Sequence, residues 1–323
     1  MVRGRGWSRR VAAIVAVAAI ATVAAACGGD VVPTPAPPGP SALAAAPTPV
    51  PTPTRTARPS ATPSRAPSPS PWPTPSAKPT ASPPAAADDL PACAGQPSTA
   101  EGAVLTATSL NWGGYIARQS GARVVCVQAR WTEPKLHCPT KGVRSVAIWV
   151  GIDGDRGATT TRPLIQVGTA GECRGGVERH FAWHQLYPNQ PYSRSFAAKV
   201  KPGDRIAASV VFRKREFVLT VVDLTTGVTS TISERAPKAT RASAEWIVEA
   251  PTGDCPGHCH QLTLPSFGPI RFTDAQARLG DTVDGVVGPW NRERTTMVTP
   301  KGAPLVKIGN VSSGGDSFAV SRP

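Results

Sequence analysis

Four short stretches set a polar side chain among apolar and aromatic neighbours: Trp149-Val-Gly-Ile-Asp153-Gly154, Leu164-Ile-Gln166-Val-Gly168, Trp183-His-Gln185-Leu-Tyr187-Pro188 and Ala244-Glu245-Trp246-Ile-Val-Glu249. In the last of them, strand alternation puts Glu245, Ile247 and Glu249 on one face and Trp246 and Val248 on the other. A carboxylate on a sheet face rich in Trp and Tyr loses part of its hydration. Its pKa rises, and it can serve as a general base and then as an acid. A Gln amide suits the complementary task, since it donates hydrogen bonds at any pH and can stabilise a developing oxyanion. The same pattern also fits solvent-facing positions of an ordinary sandwich strand.

Other chemistries find less support. The chain has no Gly-x-Ser-x-Gly elbow, no His-Glu-x-x-His zinc helix and no phosphate-cradling Gly-Lys-Ser/Thr loop. Of its five histidines, His180 and His184 flank Trp183 on one strand, while His258 and His260 sit in a Cys-containing loop; neither pair adjoins an obvious nucleophile. Cys255-Pro-Gly-His258-Cys259-His260 offers thiolate and imidazole ligands for zinc, but no second matching cluster exists, so neither a metal nor a cofactor is expected.

These residues belong to one stretch of a chain of 323 residues. Arg3, Arg5, Arg9 and Arg10 precede a small apolar run from Val11 to Ala26, which reads as an export signal too short and alanine-rich for a membrane span. The run ends Ala24-Ala25-Ala26-Cys27-Gly28, as a bacterial lipoprotein cleavage site does, so Cys27 is the expected lipidation point and residues 1–27 the signal peptide. Cleavage within the alanine run by an ordinary signal peptidase would instead leave a soluble secreted protein. Residues 28–92 carry 20 of the 36 prolines, interleaved with Thr, Ser and Ala. Each proline fixes φ and removes a donor, which leaves a polyproline-II-like stalk.

Residues 93–323 are the expected folded domain, of a size common for sandwiches and barrels. They hold 27 Lys and Arg against 18 Asp and Glu, a net charge of +9, scattered rather than in runs and without a nucleic-acid module, so no nucleic-acid partner is expected. Short β-branched and aromatic runs predict strands over Val124–Trp131, Val146–Ile152, Ile206–Phe212, Glu216–Val222 and Glu245–Glu249. Turns fall at Lys201-Pro-Gly-Asp204 and at Asp223-Leu-Thr-Thr-Gly227, the latter a hairpin signal, and no long amphipathic helix is visible. Setting Cys27 aside leaves six cysteines with about 15 possible complete pairings, a connectivity that stays open, although short separations suggest local Cys126–Cys138 and Cys255–Cys259 bridges.

In this combination the chain resembles the glutamic peptidases, or eqolisins, secreted acid endopeptidases. The resemblance runs through Asn111-Trp112-Gly113-Gly114-Tyr115, Val127 to Pro134, Trp149 to Gly154, Ile165 to Thr169, Pro202-Gly203-Asp204, Ala244 to Glu249, Leu264 to Gly268 and Phe272 to Ala275. It implies a lectin-like, concanavalin-type β-sandwich of two seven-stranded antiparallel sheets, with a substrate cleft across one concave sheet. It further implies a Gln166/Glu249 dyad, with Glu249 as base and acid on water and Gln166 holding the oxyanion, on protein or peptide substrates at acidic pH. Trp112, Trp149, Asp153, Trp183, Gln185 and Tyr187 match substrate-site positions. Where the reference enzymes have Glu in the aromatic strand, this chain has Gln185, a lost carboxylate that should leave Glu249 easier to ionise. The expected protein is a cell-surface or secreted monomer. Two rivals remain: a non-catalytic peptide- or glycan-binding module on the same sandwich, and a glycan-active enzyme using Glu245 and Glu249 as its carboxylate pair.

Overall fold

The computed structural model describes residues 93, 95, 97–155, 163–190, 193–252 and 261–323. The signal segment, Cys27 and the stalk lie outside these residues, as do Cys255, His258, Cys259 and His260. No helix occurs among the described residues; eighteen strands do. They are β1 (Val104–Ser109), β2 (Trp112–Arg118), β3 (Val124–Thr132), β4 (Leu136–His137), β5 (Val143–Ile152), β6 (Leu164–Arg174), β7 (Val177–Tyr187), β8 (Arg194–Val200) and β9 (Arg205–Arg213). The remainder are β10 (Glu216–Asp223), β11 (Val228–Glu234), β12 (Ala244–Glu249), β13 (Ser266–Phe267), β14 (Ile270–Leu279), β15 (Thr282–Asp284), β16 (Asn291–Met297), β17 (Lys307–Ile308) and β18 (Phe318–Ser321).

One eight-stranded sheet runs β1-β16-β2-β12-β5-β6-β7-β8; the other, also of eight, runs β11-β10-β9-β3-β14-β18-β17 with β15 paired to β14. The expectation of seven and seven antiparallel strands is therefore corrected. β1 adds a parallel edge strand beside β16, and β15 and β17 are three- and two-residue pieces too short to leave a pattern in sequence. All five expected strands form, each extended by one to three residues at one or both ends. The β10–β11 hairpin is closed by Asp223, whose carboxylate accepts from the Thr225 and Thr226 amides and the Thr226 hydroxyl, with Gly227 at φ 74°. Asp204 closes its turn in the same way, accepting from the amide of Lys201 at 2.7 Å.

The two sheets pack over a single apolar core. Alternation supplies Val146, Ile148, Val150, Ile165, Val167, Trp246 and Val248 from one sheet and Val127, Ala129, Trp131, Ile206, Val210, Phe217 and Leu219 from the other. Two tryptophans also bond across the gap: Trp246 Nε1 donates to the carbonyl of Gln128 (2.8 Å), and Trp131 Nε1 donates to Oγ1 of Thr169 (3.0 Å). A buried indole N–H must find such a partner, so these bonds set how the sheets sit.

The Cys126–Cys138 pairing is overturned: the bridges are Cys93–Cys126 and Cys138–Cys173. From Cys126 the chain stays extended to Thr132, which carries it roughly 20 Å away before it can turn, so a neighbour in sequence is out of reach. Cys93 instead staples the segment before β1 to β3, and Cys138 staples the β4 connection to β6. The suggested Cys255–Cys259 bridge lies outside the described residues.

Beside the second bridge, His180 lies buried between two carboxylates, Nδ1 at 2.6 Å from Glu133 and Nε2 at 2.9 Å from Glu178. Glu133 also accepts from Thr169, and Glu178 from the amide of Leu136. Both ring nitrogens face acceptors, so the imidazolium is the form that satisfies the site. Burial works against that charge, but the hydrogen bonds and charges of Glu133 and Glu178 outweigh it and raise the pKa above the usual 6.5. A raised histidine pKa stabilises fully below the unfolded value and is lost as pH rises through the folded one. His180→Gln should cost about 3 kcal/mol or more by stranding Glu133, roughly 10 °C in melting temperature. In thermal unfolding of both proteins from pH 5.5 to 9, the gap should narrow as pH rises; a gap of constant size would refute the charged form.

Candidate active site

The outer face of the first sheet carries a second, smaller apolar cluster: Ile116, Ala147, Trp149, Leu164, Ala170, Trp183 and Ile247, with Trp112 and Phe181 against it. Strand register orders this face into rows. One row runs Trp112, Glu249, Ala147, Ala170, Phe181; the next runs Gly114, Ile247, Trp149, Gly168, Trp183; the third runs Ile116, Glu245, Gly151, Gln166, Gln185. Gln166 and Glu249 thus share a face, two strands apart and four residues offset. On a flat sheet that is roughly 9.5 Å across and 13 Å along, about 16 Å in all between backbones, whereas Glu245 lies in Gln166's own row at about 9.5 Å.

Trp149 fills the floor between Glu249 and Gln166. Glycine at Gly151 and Gly168 makes room for it, since a methyl group on Gly151 would lie 2.8 Å from Cζ3 of the indole, and one on Gly168 would lie 2.0 Å from the Ile148 carbonyl oxygen. At the opposite edge, Trp149 Nε1 donates to Oε2 of Glu249 at 2.8 Å. Nδ2 of Asn111 donates to Oε1 of Glu249 at 3.1 Å, its own amide oriented by the Ser109 hydroxyl bonded to Oδ1. Trp112 meets Trp149 edge to face at 5.0 Å between ring centres. Burial pushes the Glu249 carboxyl above the ordinary glutamate value, while hydrogen bonds from Trp149, Trp112 and Asn111 pull it partway back. It is therefore a carboxylate that can still ionise and that gains a proton more readily than usual.

At the other side, Gln166 is buried and donates through Nε2 to Oε1 of Gln185 at 2.9 Å, while its own Oε1 has no partner among the described residues. Trp183 Nε1, one row over, is likewise buried without a partner. An orphaned acceptor and an orphaned donor on one face suit a ligand with amide groups.

The remaining expected residues fall in different surroundings. Asp153 is buried at φ 68°, and its carboxylate accepts from the Thr240 hydroxyl and the Arg241 and Ala242 amides, internal partners that hold the entry to β12. Tyr187 stands at the exposed end of β7, opposite Leu164. Gln185 touches Gln166 rather than Glu249. Glu245 does share the face of Glu249, but it is completely buried, burial raises its carboxyl well above the usual range, and its two oxygens have no hydrogen-bond partner among the described residues. The two glutamates lie four residues apart on β12, about 13 Å between backbones. His184 points into the core against Phe196, and burial lowers its pKa. Sequence reasoning passed over Asn111, although it opens one of the motifs, and over the two glycines beneath Trp149; small residues flanking a strand Trp are the signal that could have found them.

The indole bond to Glu249 yields a direct test. In a carbon-13 NMR titration of the Glu249 carboxyl, Trp149→Phe should raise the pKa further, because it deletes a donor that favours the charged form. Gly151→Ala should do the same by displacing the ring. An unchanged or lowered value in both variants would remove Trp149 from the account.

Similarity to known proteins now bears on this geometry. A family model described as the Peptidase A4 family matches residues 110–321. No curated protein matches the chain. Among solved structures, scytalido-glutamic peptidase with a transition state analog inhibitor is similar at 24% identity and a TM-score of 0.56, over 67% of this chain and 99% of that one. So is SCP-B, a member of the Eqolisin family, in a complex with the tripeptide Ala-Ile-His, at 22% identity and a TM-score of 0.53, over 67% and 99%. At these identities the structural likeness speaks for the fold, and the sequence match speaks for membership. With about two thirds of its length matched, the chain belongs to the Peptidase A4 family and is a peptide-bond hydrolase.

Proposed function

We propose that the protein is an exported, surface-anchored endopeptidase that cuts peptide bonds with the pair Gln166 and Glu249. The observation that carries this reading is one sheet face that holds the Gln166 amide together with the two carboxyls of β12: Glu249, partly buried and bonded by Trp149 and Asn111, and Glu245, buried without a hydrogen-bond partner among the described residues in Gln166's own row. With Glu249 as base, a peptide laid across the strands must draw both side chains toward one carbonyl and one water over the roughly 16 Å between their backbones; Glu245, about 9.5 Å from Gln166 in the same row, is the second candidate for the base. Glu249 takes a proton from that water as its oxygen bonds to the carbonyl carbon, and the free N–H of Gln166 receives the oxyanion. Glu249 then passes the proton to the amide nitrogen as the C–N bond breaks. The water-derived oxygen stays on the new carboxyl group, and no covalent intermediate forms on the protein.

The base must be ionised to act. Since burial raises the Glu249 pKa, activity should climb with pH through a value above the ordinary glutamate range, and the working range should be mildly acidic. The Arg-rich leader, the apolar run and Cys27 support export and a lipid anchor, with the proline-rich stalk holding the domain off the membrane. The partner is a protein or peptide chain, and the expected state is monomeric.

The test is digestion of a denatured protein mixture by the domain from Cys93 onward, from pH 2 to 8, with peptides read by mass spectrometry. Wild-type protein should cleave in the presence of pepstatin and chelators. Gln166→Ala and Glu249→Gln should each lose at least about 100-fold in kcat/KM while remaining folded. A folded wild type that cuts nothing would favour the binding-module alternative, and a fully active Glu249→Gln would remove the proposed base.

A further inference from the structure

The amide of Gln166 sits at the end of a hydrogen-bond chain that begins on the other sheet. Glu234, the last residue of β11, accepts at Oε1 from Nε2 of Gln190 (3.0 Å). Oε1 of Gln190 accepts from the amide of Leu186 (3.1 Å), and the Gln190 amide donates to the Leu186 carbonyl (2.8 Å), which closes the turn after β7. The carbonyl of Gln190 then accepts from Nε2 of Gln185 (2.9 Å), and Oε1 of Gln185 accepts from Nε2 of Gln166 (2.9 Å).

The direction of this chain follows from its acceptors. A carboxylate and a backbone carbonyl can only accept. The Gln190 side chain must therefore turn its NH2 toward Glu234, and Gln185 must turn its NH2 toward the Gln190 carbonyl. Gln185 is left to face Gln166 with oxygen, so Gln166 must answer with nitrogen. One N–H of Gln166 is thereby committed to Gln185, and its buried Oε1 is left without a partner among the described residues. A flipped amide would put two oxygens against each other.

We infer that Gln190, braced by Glu234 from the opposite sheet, is a positioning residue that sets through Gln185 which way round the Gln166 amide is presented to substrate. This rests on the proposed role of Gln166 and deepens it. In this arrangement the unpartnered Oε1 holds a hydrogen of the attacking water, while the second N–H of the same amide is free for the oxyanion. Gln185 serves here as an uncharged relay. Glutamate at 185 could accept from Gln166 but, when ionised, could not donate to the Gln190 carbonyl.

The experiment measures kcat and KM on a fluorogenic peptide containing a bond that the wild-type protein is shown to cut. Glu234→Ala and Gln190→Ala should lower kcat about tenfold with KM changed less than about twofold, because a misaimed amide harms the transition state more than substrate binding. Gln190→Glu alone sets two carboxylates together and should lose activity similarly. The exchange variant Gln190→Glu/Glu234→Gln rebuilds an amide-to-carboxylate bond at the same place and should recover most of kcat. Thermal unfolding accompanies each variant, and if a single variant fails to fold, the exchange variant carries the test. Recovery of kcat in the exchange variant supports the relay; wild-type kcat in a folded Gln190→Ala, or no recovery in a folded exchange variant, overturns it. Should wild type cut nothing, or cut equally well as Glu249→Gln, the peptidase dyad itself fails, a result distinct from failure of the relay alone.

Discussion

Everything on the cleft face depends on the register of β12. Trp246 is completely buried between the sheets, with its indole N–H bonded to the Gln128 carbonyl of β3, and Val248 follows it into the same core. Period-two alternation then leaves Glu249 no choice of side. A slip of one residue would put two glutamates into the apolar core and two large side chains into the cleft, so register is strongly enforced. The central place of β12 between β2 and β5 reinforces this, because both neighbours contribute to the site: Asn111 and Trp112 from the approach to and start of β2, Trp149 from β5.

That arrangement explains how a carboxylate can be kept both buried and usable. Burial alone would hold Glu249 neutral, whereas the indole and amide donors favour its charge, and the two effects leave it between an ordinary surface glutamate and the fully buried Glu245. Glu245 shows the other limit on the same strand. It is completely buried on the same face, burial raises its carboxyl well above the usual range, and its two oxygens have no hydrogen-bond partner among the described residues. In the proposed mechanism Trp149 has two duties, as the floor beneath a bound chain and as a donor to the base, and the glycines at 151 and 168 exist in these positions because any Cβ would collide with that ring or its strand.

Sequence made part of this legible. β-branched runs located the central strands to within three residues, Asp-x-x-x-Gly located a hairpin, and alternation in Ala244 to Glu249 located the face of Glu249. Each of these signals is local. What escaped was non-local or weak: the edge pairing of β1, the short strands β15 and β17, and the disulfides, where closeness in sequence misled because extended strands carry neighbours apart. The cleft face shows the same division. Gln185 could be seen beside the site but not what it touches, since Gln190 follows a turn and Glu234 belongs to the other sheet. Asp153 matched a site position by motif, yet it accepts from Thr240, Arg241 and Ala242, internal partners that only the packed chain reveals.

The most direct measurement is a crystal structure of Glu249→Gln holding an uncut peptide. The account predicts an extended chain across β12, β5 and β6, with one carbonyl over the Trp149 indole, that carbonyl within hydrogen-bond distance of Gln166, and a water between it and residue 249. A peptide bound at another surface, or one whose carbonyls reach residue 249 or Gln166 but never both through the same bond, would contradict it.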